Sequence, residues 1–238
     1  MTLDYITSGQ VKVMMFDYIK EILAAFDAVD PKTTSTKASA APDELFKFNE
    51  KCEKLGPKLA TALHTLVSQT LYTTKCAHSD TCTAIAFLTT RVREPDLDDW
   101  AKLTHLMKYL RGAKELPLIL SANNSGIIKR NVDGSFGVHP NMKGHTGGVV
   151  SFGRDFPLVT STKQKLNTRS STESEIVAMD DCMPTICWTW YFLESQGYGV
   201  YENILCQGNQ SAILLEKSGK DSSIKCTKHV NIRYFFVR

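Results

Sequence analysis

The sequence lacks an apolar run long enough to cross a bilayer. The uncharged, apolar-leaning stretch at residues 182–193 contains Pro184, two threonines and two tryptophans and is too short for a span. It lacks a secretory signal: the opening MTLDYITSGQ has an acid at Asp4 and no basic start followed by an apolar core. It has no C-x-x-C pair, and its seven cysteines, an odd number, suit free thiols in a reducing compartment. It carries no strong charge of either sign. The 28 basic and 25 acidic residues leave +3, too little by itself to argue for nucleic acid. No internal repeat is visible. These absences exclude a membrane partner or a disulfide-stapled secreted domain, and they point to the cytosol or nucleus.

What is present is ordinary globular material. The 238 residues, 42% hydrophobic and 22% charged, suit one large or two small domains and exclude wholesale disorder. Residues 217–238 hold six basic residues and one acid, which on charge alone reads as a solvated basic helix. Cys76, His78 and Cys82 lie close in sequence, as do Cys226 and His229. A zinc site needs about four convergent, tightly spaced ligands, so free thiols near incidental histidines are favoured.

The pattern predicts a short strand at 12–15 and a helix over 16–29, where Ile19, Ile22, Leu23 and Phe26 recur at helical spacing. Residues 31–42, lacking large apolar side chains and bounded by prolines, read as an exposed linker. Helices are expected over 43–55 (capped by Asp43 and ended by Gly56-Pro57), 58–73, 79–92 and from about Asp98 to Gly112. The texture then changes. Strands are expected at 116–120, 126–132, 149–152 and 156–160, the last two separated by the hairpin-like Gly153-Arg154-Asp155. A long helix over 170–195 starts with Glu173 and Glu175 in its first turn and stops at Gly197 and Gly199. A strand at 203–206 and helices at 210–216 and 225–238 follow. Trp188, Trp190, Tyr191 and Phe192 are read as core rather than as a stacking platform, and Tyr234, Phe235 and Phe236 as packing. The order gives an α/β unit with a central sheet after a mainly helical one.

Asp133 ends an apolar strand and Glu175 opens a helix. Carboxylates so placed can converge on one cation, although surface acids are common at such positions. Four strings sharpen this. VDGSFGVHPNMKGHTGG resembles the first motif of the ribonuclease H domain of copia-type LTR retrotransposons, and KQKLNTRSSTESEIVAMDDC the second. CQGNQSAILLEKSG resembles the third motif, and TKHVNIRYFFVR the fourth. The segments MTLDYITSGQVKV and FLTTRVREPDLDDWAKLTHLMKYLRGA resemble the last palm strands and the thumb and connecting helices of the preceding reverse transcriptase. The polymerase's Tyr-x-Asp-Asp hairpin does not occur; Asp180-Asp181 falls inside a helix and Asp98-Asp99 at a helix start.

The resemblance implies a ribonuclease H-like domain at 115–238, with a mixed central sheet and flanking helices, truncated at its C-terminus. A reverse-transcriptase-like segment would occupy 1–114. Asp133 and Glu175 correspond to catalytic metal ligands for Mg²⁺ or Mn²⁺. Glu173 points elsewhere, because helical residues two apart diverge by about 200°. Two carboxylate positions are replaced, by Gly208 and Asn231, so hydrolysis of the RNA strand of an RNA–DNA hybrid is expected to be absent or very weak. Hybrid or RNA contacts are expected from Lys163, Gln164, Lys165, Ser170, Ser171, Thr172, Asn209, Gln210, Ser211, Lys228, His229 and Arg233. For His229 alone, a packing role stands beside the phosphate role. The rest of the reverse transcriptase is an implied partner. The alternatives are a non-catalytic RNA- or hybrid-binding module and a retroelement relic without activity.

Overall fold

A computed structural model of the chain describes residues 1–218 apart from 32, 33, 37, 124 and 155. The expected helix at 225–238, with Lys228, His229, Asn231 and Arg233, lies outside the described residues. The chain divides into two compact units, one of residues 1–122 with 154–156 and one of 123–153 with 157 onward.

The first unit begins with strands β1 (Thr2–Asp4) and β2 (Val11–Met14). Helices α1 (Phe16–Asp27), α2 (Pro57–Cys76), α3 (Cys82–Thr89) and α4 (Leu97–Ala113) follow, and strand β3 (Leu118–Ala122) closes the unit. A 3₁₀ turn at Ser79–Thr81 precedes α3. β2 pairs antiparallel with both β1 and β3. The expected boundary at 114/115 would have placed β3 in the second unit, but its ladder with β2 assigns it to the first. The α1 residues Ile19, Ile22, Leu23 and Phe26 are all buried, and they meet Leu63, Phe87, Leu103 and Leu110 in one apolar cluster. Full burial of each such side chain contributes about 1.5–3 kcal/mol.

Residues 43–55 form turns instead of the expected helix. Leu45 and Lys47 donate their N–H groups to carbonyls three residues back, at Pro42 and Glu44. Leu55 N–H donates instead to Pro95 O, 3.0 Å away. Leu45, Phe48, Cys52 and Leu55 keep helical spacing, but the far end of the segment is drawn into an antiparallel bridge between Lys54 and Asp96, where Leu97 N–H donates to Glu53 O at 3.0 Å, so tertiary pairing overrides the local pattern. Gly56-Pro57 therefore opens α2, with Pro57 at its first position, where a missing N–H is harmless. α4 starts with a reciprocal capping box between Asp96 and Asp99, and Arg91 donates to both carboxylates at 3.0 Å.

The second unit is α/β with a mixed sheet and flanking helices. Its strands are β4 (Ile127–Ser135), β5 (His145–Ser151), β7 (Leu158–Lys163) and β8 (Glu202–Gln207), in the order β7-β5-β4-β8. A two-residue strand, β6 (Gly153–Arg154), follows β5 in sequence. The β7/β5 and β5/β4 pairs are antiparallel, and β4/β8 is parallel. Helix α5 (Ser171–Ser195) packs on β4 and β5, and α6 (Gln210–Ser218) lies against α5 and β8. This packing is close. A Cβ on Gly134 would sit 2.5 Å from Ser174 O, and one on Gly148 would sit 2.8 Å from Cys182 Sγ. Only glycine lets the sheet approach the helix so nearly. Val132, Ile176, Val177, Ala178 and Met179 fill the space between.

The aromatics of α5 are not core. Trp188 is 58% exposed and Tyr191 66%; Trp190 and Phe192 are exposed too. Trp188 stacks on Phe192 with centroids 5.0 Å apart. Helical spacing alone placed them inside, but the buried face of α5 is already filled by the small and branched residues from Ser174 to Ile186.

Candidate functional site

Three features bring the expected site residues together. β4 alternates buried and exposed positions, which leaves Asp133 exposed between buried Val132 and Gly134. The parallel ladder of β4 and β8 ends at Val132 opposite Gln207, so Asp133 and Gly208 are the next residues of the two neighbouring strands. The close approach at Gly134 then sets the first turns of α5 over that strand end.

Glu175 projects from there. Its Oε2 accepts the Gly134 N–H at 2.7 Å and the Gln207 side-chain amide at 3.2 Å. Burial and then the neighbouring Asp133 charge push its carboxyl above the ordinary range, against the pull of the Gly134 and Gln207 donors. The Gln207 carboxamide is itself fixed, because its Oε1 accepts the Asn209 N–H at 3.1 Å. At Gly208 an added Cβ would meet nothing within 4 Å.

Glu173 is held elsewhere: its Oε2 accepts the Arg169 N–H at 2.7 Å, while Ser170 Oγ caps the helix by accepting the Glu173 N–H. The Ser-x-x-Glu pattern of a capped start runs from Ser170 to Glu173, one residue before the Ser171 that begins the helix.

The expected nucleic-acid contacts separate into two sets. Lys165, Ser170, Ser171, Gln210 and Ser211 are exposed, and Lys163 and Thr172 are half-buried. Gln164 differs: it is 1% exposed, and its amide donates to Ser174 O at 2.9 Å and Thr146 Oγ1 at 3.2 Å. That side chain ties β5 to α5 and is not free to meet a phosphate. Asn209 is half-buried, and its Oδ1 caps α6 by accepting the Ala212 N–H at 3.0 Å.

Sequence reasoning missed a buried polar chain beside this site. His139 Nε2 and His145 Nδ1 are hydrogen-bonded at 3.0 Å, and His145 Nε2 and Ser161 Oγ at 2.7 Å. Burial pushes both imidazoles down to about 4, with the neighbouring His145 and Lys163 adding to the shift at His139. The six-residue spacing of the histidines across a loop carries no periodic signal that could have announced the pair.

Chemically, the strand end offers two carboxylates and an amide. Two divalent ions need several carboxylates around them. Among the described residues no three His, Cys, Asp or Glu side chains group as a metal site. The donors among the described residues therefore do not fit a two-ion centre.

A small α/β unit with a mixed sheet, and an acidic pair where two parallel neighbouring strands end, is the class that fold and site define. No family model matches the chain, and no solved structure matches it. It is similar to the retrovirus-related Pol polyprotein from transposon TNT 1-94 of Nicotiana tabacum, 25% identical over 238 residues. The match covers 98% of this chain and 17% of that polyprotein. The similarity supports a retrotransposon Pol origin for this chain. Among the described residues no helix is long and apolar enough to cross a membrane.

Proposed function

We propose that the second unit is a ribonuclease H-like module of a copia-type Pol polyprotein that binds RNA–DNA hybrids without cutting them. In this reading the first unit derives from the thumb and connecting region of the reverse transcriptase, and the rest of that enzyme is a partner. The observation that carries the reading is the β4/β8 register, which sets Asp133, Glu175 and the side-chain-free Gly208 at one strand end. The ancestral reaction is hydrolysis of the RNA strand with Mg²⁺ or Mn²⁺. Loss of the carboxylate at Gly208, and of the one at Asn231, removes charge that such ions require. Binding can outlast that loss. The N-terminus of the 25-residue α5 presents backbone N–H groups and the hydroxyls of Ser170 and Ser171, with Lys165 nearby in sequence. Those are phosphate donors.

The test is cleavage of a labelled RNA strand in a hybrid, with Mg²⁺ or Mn²⁺, alongside hybrid binding across a salt series. The chain as it stands is expected to bind with an affinity that falls with salt, and not to cleave. Gly208→Asp, which has open space for its carboxylate, is expected to gain weak cleavage. Cleavage by the unaltered chain that disappears in Glu175→Gln would overturn the non-cleaving part. Absence of any salt-dependent hybrid binding would overturn the module and leave a relic.

A further inference from the structure

Gln207 lies in the third motif string, beside Gly208, with no role of its own there, yet it ties the strand end to Glu175. Its two amide ends are both assigned: Oε1 accepts the Asn209 N–H at 3.1 Å, and Nε2 donates to Glu175 Oε2 at 3.2 Å. Flipping the amide would put oxygen against a carboxylate oxygen and NH₂ against an N–H, two repulsive contacts in place of two bonds. The backbone thus points a donor at Glu175. The same Oε2 accepts the Gly134 N–H at 2.7 Å. A carboxylate oxygen has about two lone-pair positions, and here both are taken. An inner-sphere cation on that oxygen must first break a charge-assisted hydrogen bond.

We propose that Gln207 stands in for a cation at Glu175: its side-chain amide, with the Gly134 N–H, fills the lone pairs of Oε2, leaves only Oε1 to a divalent ion and so keeps the Asp133–Glu175 pair poor in metal. This rests on the ribonuclease H-like reading only in supposing that the ancestral site held metal. The amide supplies part of what an ion would, a positive dipole beside two neighbouring acids, without needing the side chain absent at Gly208. The arrangement holds the strand end together with no ion bound.

The experiment is a Mn²⁺ titration of the full chain, with free Mn²⁺ followed by electron paramagnetic resonance, for the unaltered chain, Gln207→Ala and Gln207→Ala/Glu175→Gln. Removing the amide is expected to tighten Mn²⁺ binding about tenfold, the size of one hydrogen bond to a charged group. The added Glu175→Gln change should abolish the gain. Equal or weaker Mn²⁺ affinity in Gln207→Ala overturns the proposal, and so does a gain that survives Glu175→Gln. A second measurement needs no variant. In ¹⁵N spectra of the unaltered chain, the Gln207 side-chain NH₂ peaks should keep their positions at roughly millimolar Mg²⁺. A saturable shift of those peaks in that range overturns the proposal.

Hybrid affinity measured on the same proteins separates this proposal from the function it rests on. Tighter Mn²⁺ binding without any hybrid binding supports the amide's role while the nucleic-acid reading falls. Hybrid binding with Mn²⁺ affinity unchanged in Gln207→Ala does the reverse.

Discussion

In the first unit, buried polar groups mostly answer to their own neighbourhood. Thr70 and Thr74 return their hydroxyls to carbonyls four residues back in α2, and Arg91 meets Asp96 and Asp99 a few residues ahead. The rest of that interior is large hydrocarbon, with Phe26, Phe87, Leu103, Leu106, Met107 and Leu110 fully enclosed. In the second unit the buried polar groups join distant elements. Gln164 reaches Thr146 on β5 and Ser174 on α5, Thr146 donates to Asp181 at 2.8 Å, and His145 meets Ser161 on β7. Among the described residues the apolar cluster there is small. Apolar burial tolerates approximate shape, whereas bonds between elements and glycine-width contacts fix a single alignment of sheet and helix.

The sharpest way to break that contrast is to hollow out the first unit. Phe87→Ala removes a fully buried ring packed edge-on against Phe46 and is expected to cost about 3–5 kcal/mol. Chemical denaturation followed by hydrogen exchange should localise the loss to residues 1–122. A loss spread equally over α5 and β4 would mean the units do not differ as described.

Acid should act on the second unit. His139 and His145 are held near 4, below the ordinary 6.5, so the unfolded chain binds more protons than the folded one between those values. Their contribution to stability is complete above about pH 6.5, falls as pH drops toward 4, and levels off below it. Calorimetry across that window should show the decline in the unaltered chain and a shallower one in His145→Asn. An equal slope in the two would remove the histidine pair as its cause.

The glycines give a smaller effect. Gly134→Ala forces a Cβ to 2.5 Å from Ser174 O and is expected to cost about 1–3 kcal/mol, while Gly208→Ala, facing open space, is expected to be neutral within about 0.5 kcal/mol. Equal effects at the two positions would mean that the close approach of β4 and α5 does not constrain the unit.

The same contrast explains what could be read in advance. α1, α4 and α5 were legible to within a few residues, because a 3.6-residue stripe or an acidic start is a local signal. The turns at 43–55 were not: Leu45, Phe46 and Phe48 are apolar and buried or half-buried, but they pack from a loop. β5 begins at His145, four residues before its apolar run, since Gly147 and Gly148 contribute width and no hydrophobicity. Helical spacing in a long helix points Trp188 and Tyr191 inward, while the packed face of α5 is already filled by residues such as Ser174, Val177 and Ala178. At the site, the residues that converge were legible as motif positions, Asp133 and Glu175. The residue that binds Glu175, Gln207, was not, because its role comes from strand register and from a backbone N–H two residues on.

The smallest expected effect runs opposite in sign. Glu175 is raised above the ordinary carboxylate range by burial and by Asp133, so its ionised form is less favourable in the folded chain than in the unfolded one. For a raised carboxyl the unfolded state holds fewer protons near the titration range, and stability from this group grows as pH falls through it. Near pH 7 the charge is a small net cost, offset in part by the Gly134 and Gln207 donors. Glu175→Gln removes the charge while its amide oxygen can still accept the Gly134 N–H. It is expected to raise stability slightly at pH 7, the gain being reduced by solvent screening at this part-exposed site, and by less at pH 5. A polar group that stabilises the fold when neutralised is what a position kept for chemistry looks like, whether or not the chemistry is still performed. A destabilising Glu175→Gln at pH 7 would instead make Glu175 one more of the bonds that hold sheet to helix, alongside Gln164 and Ser174.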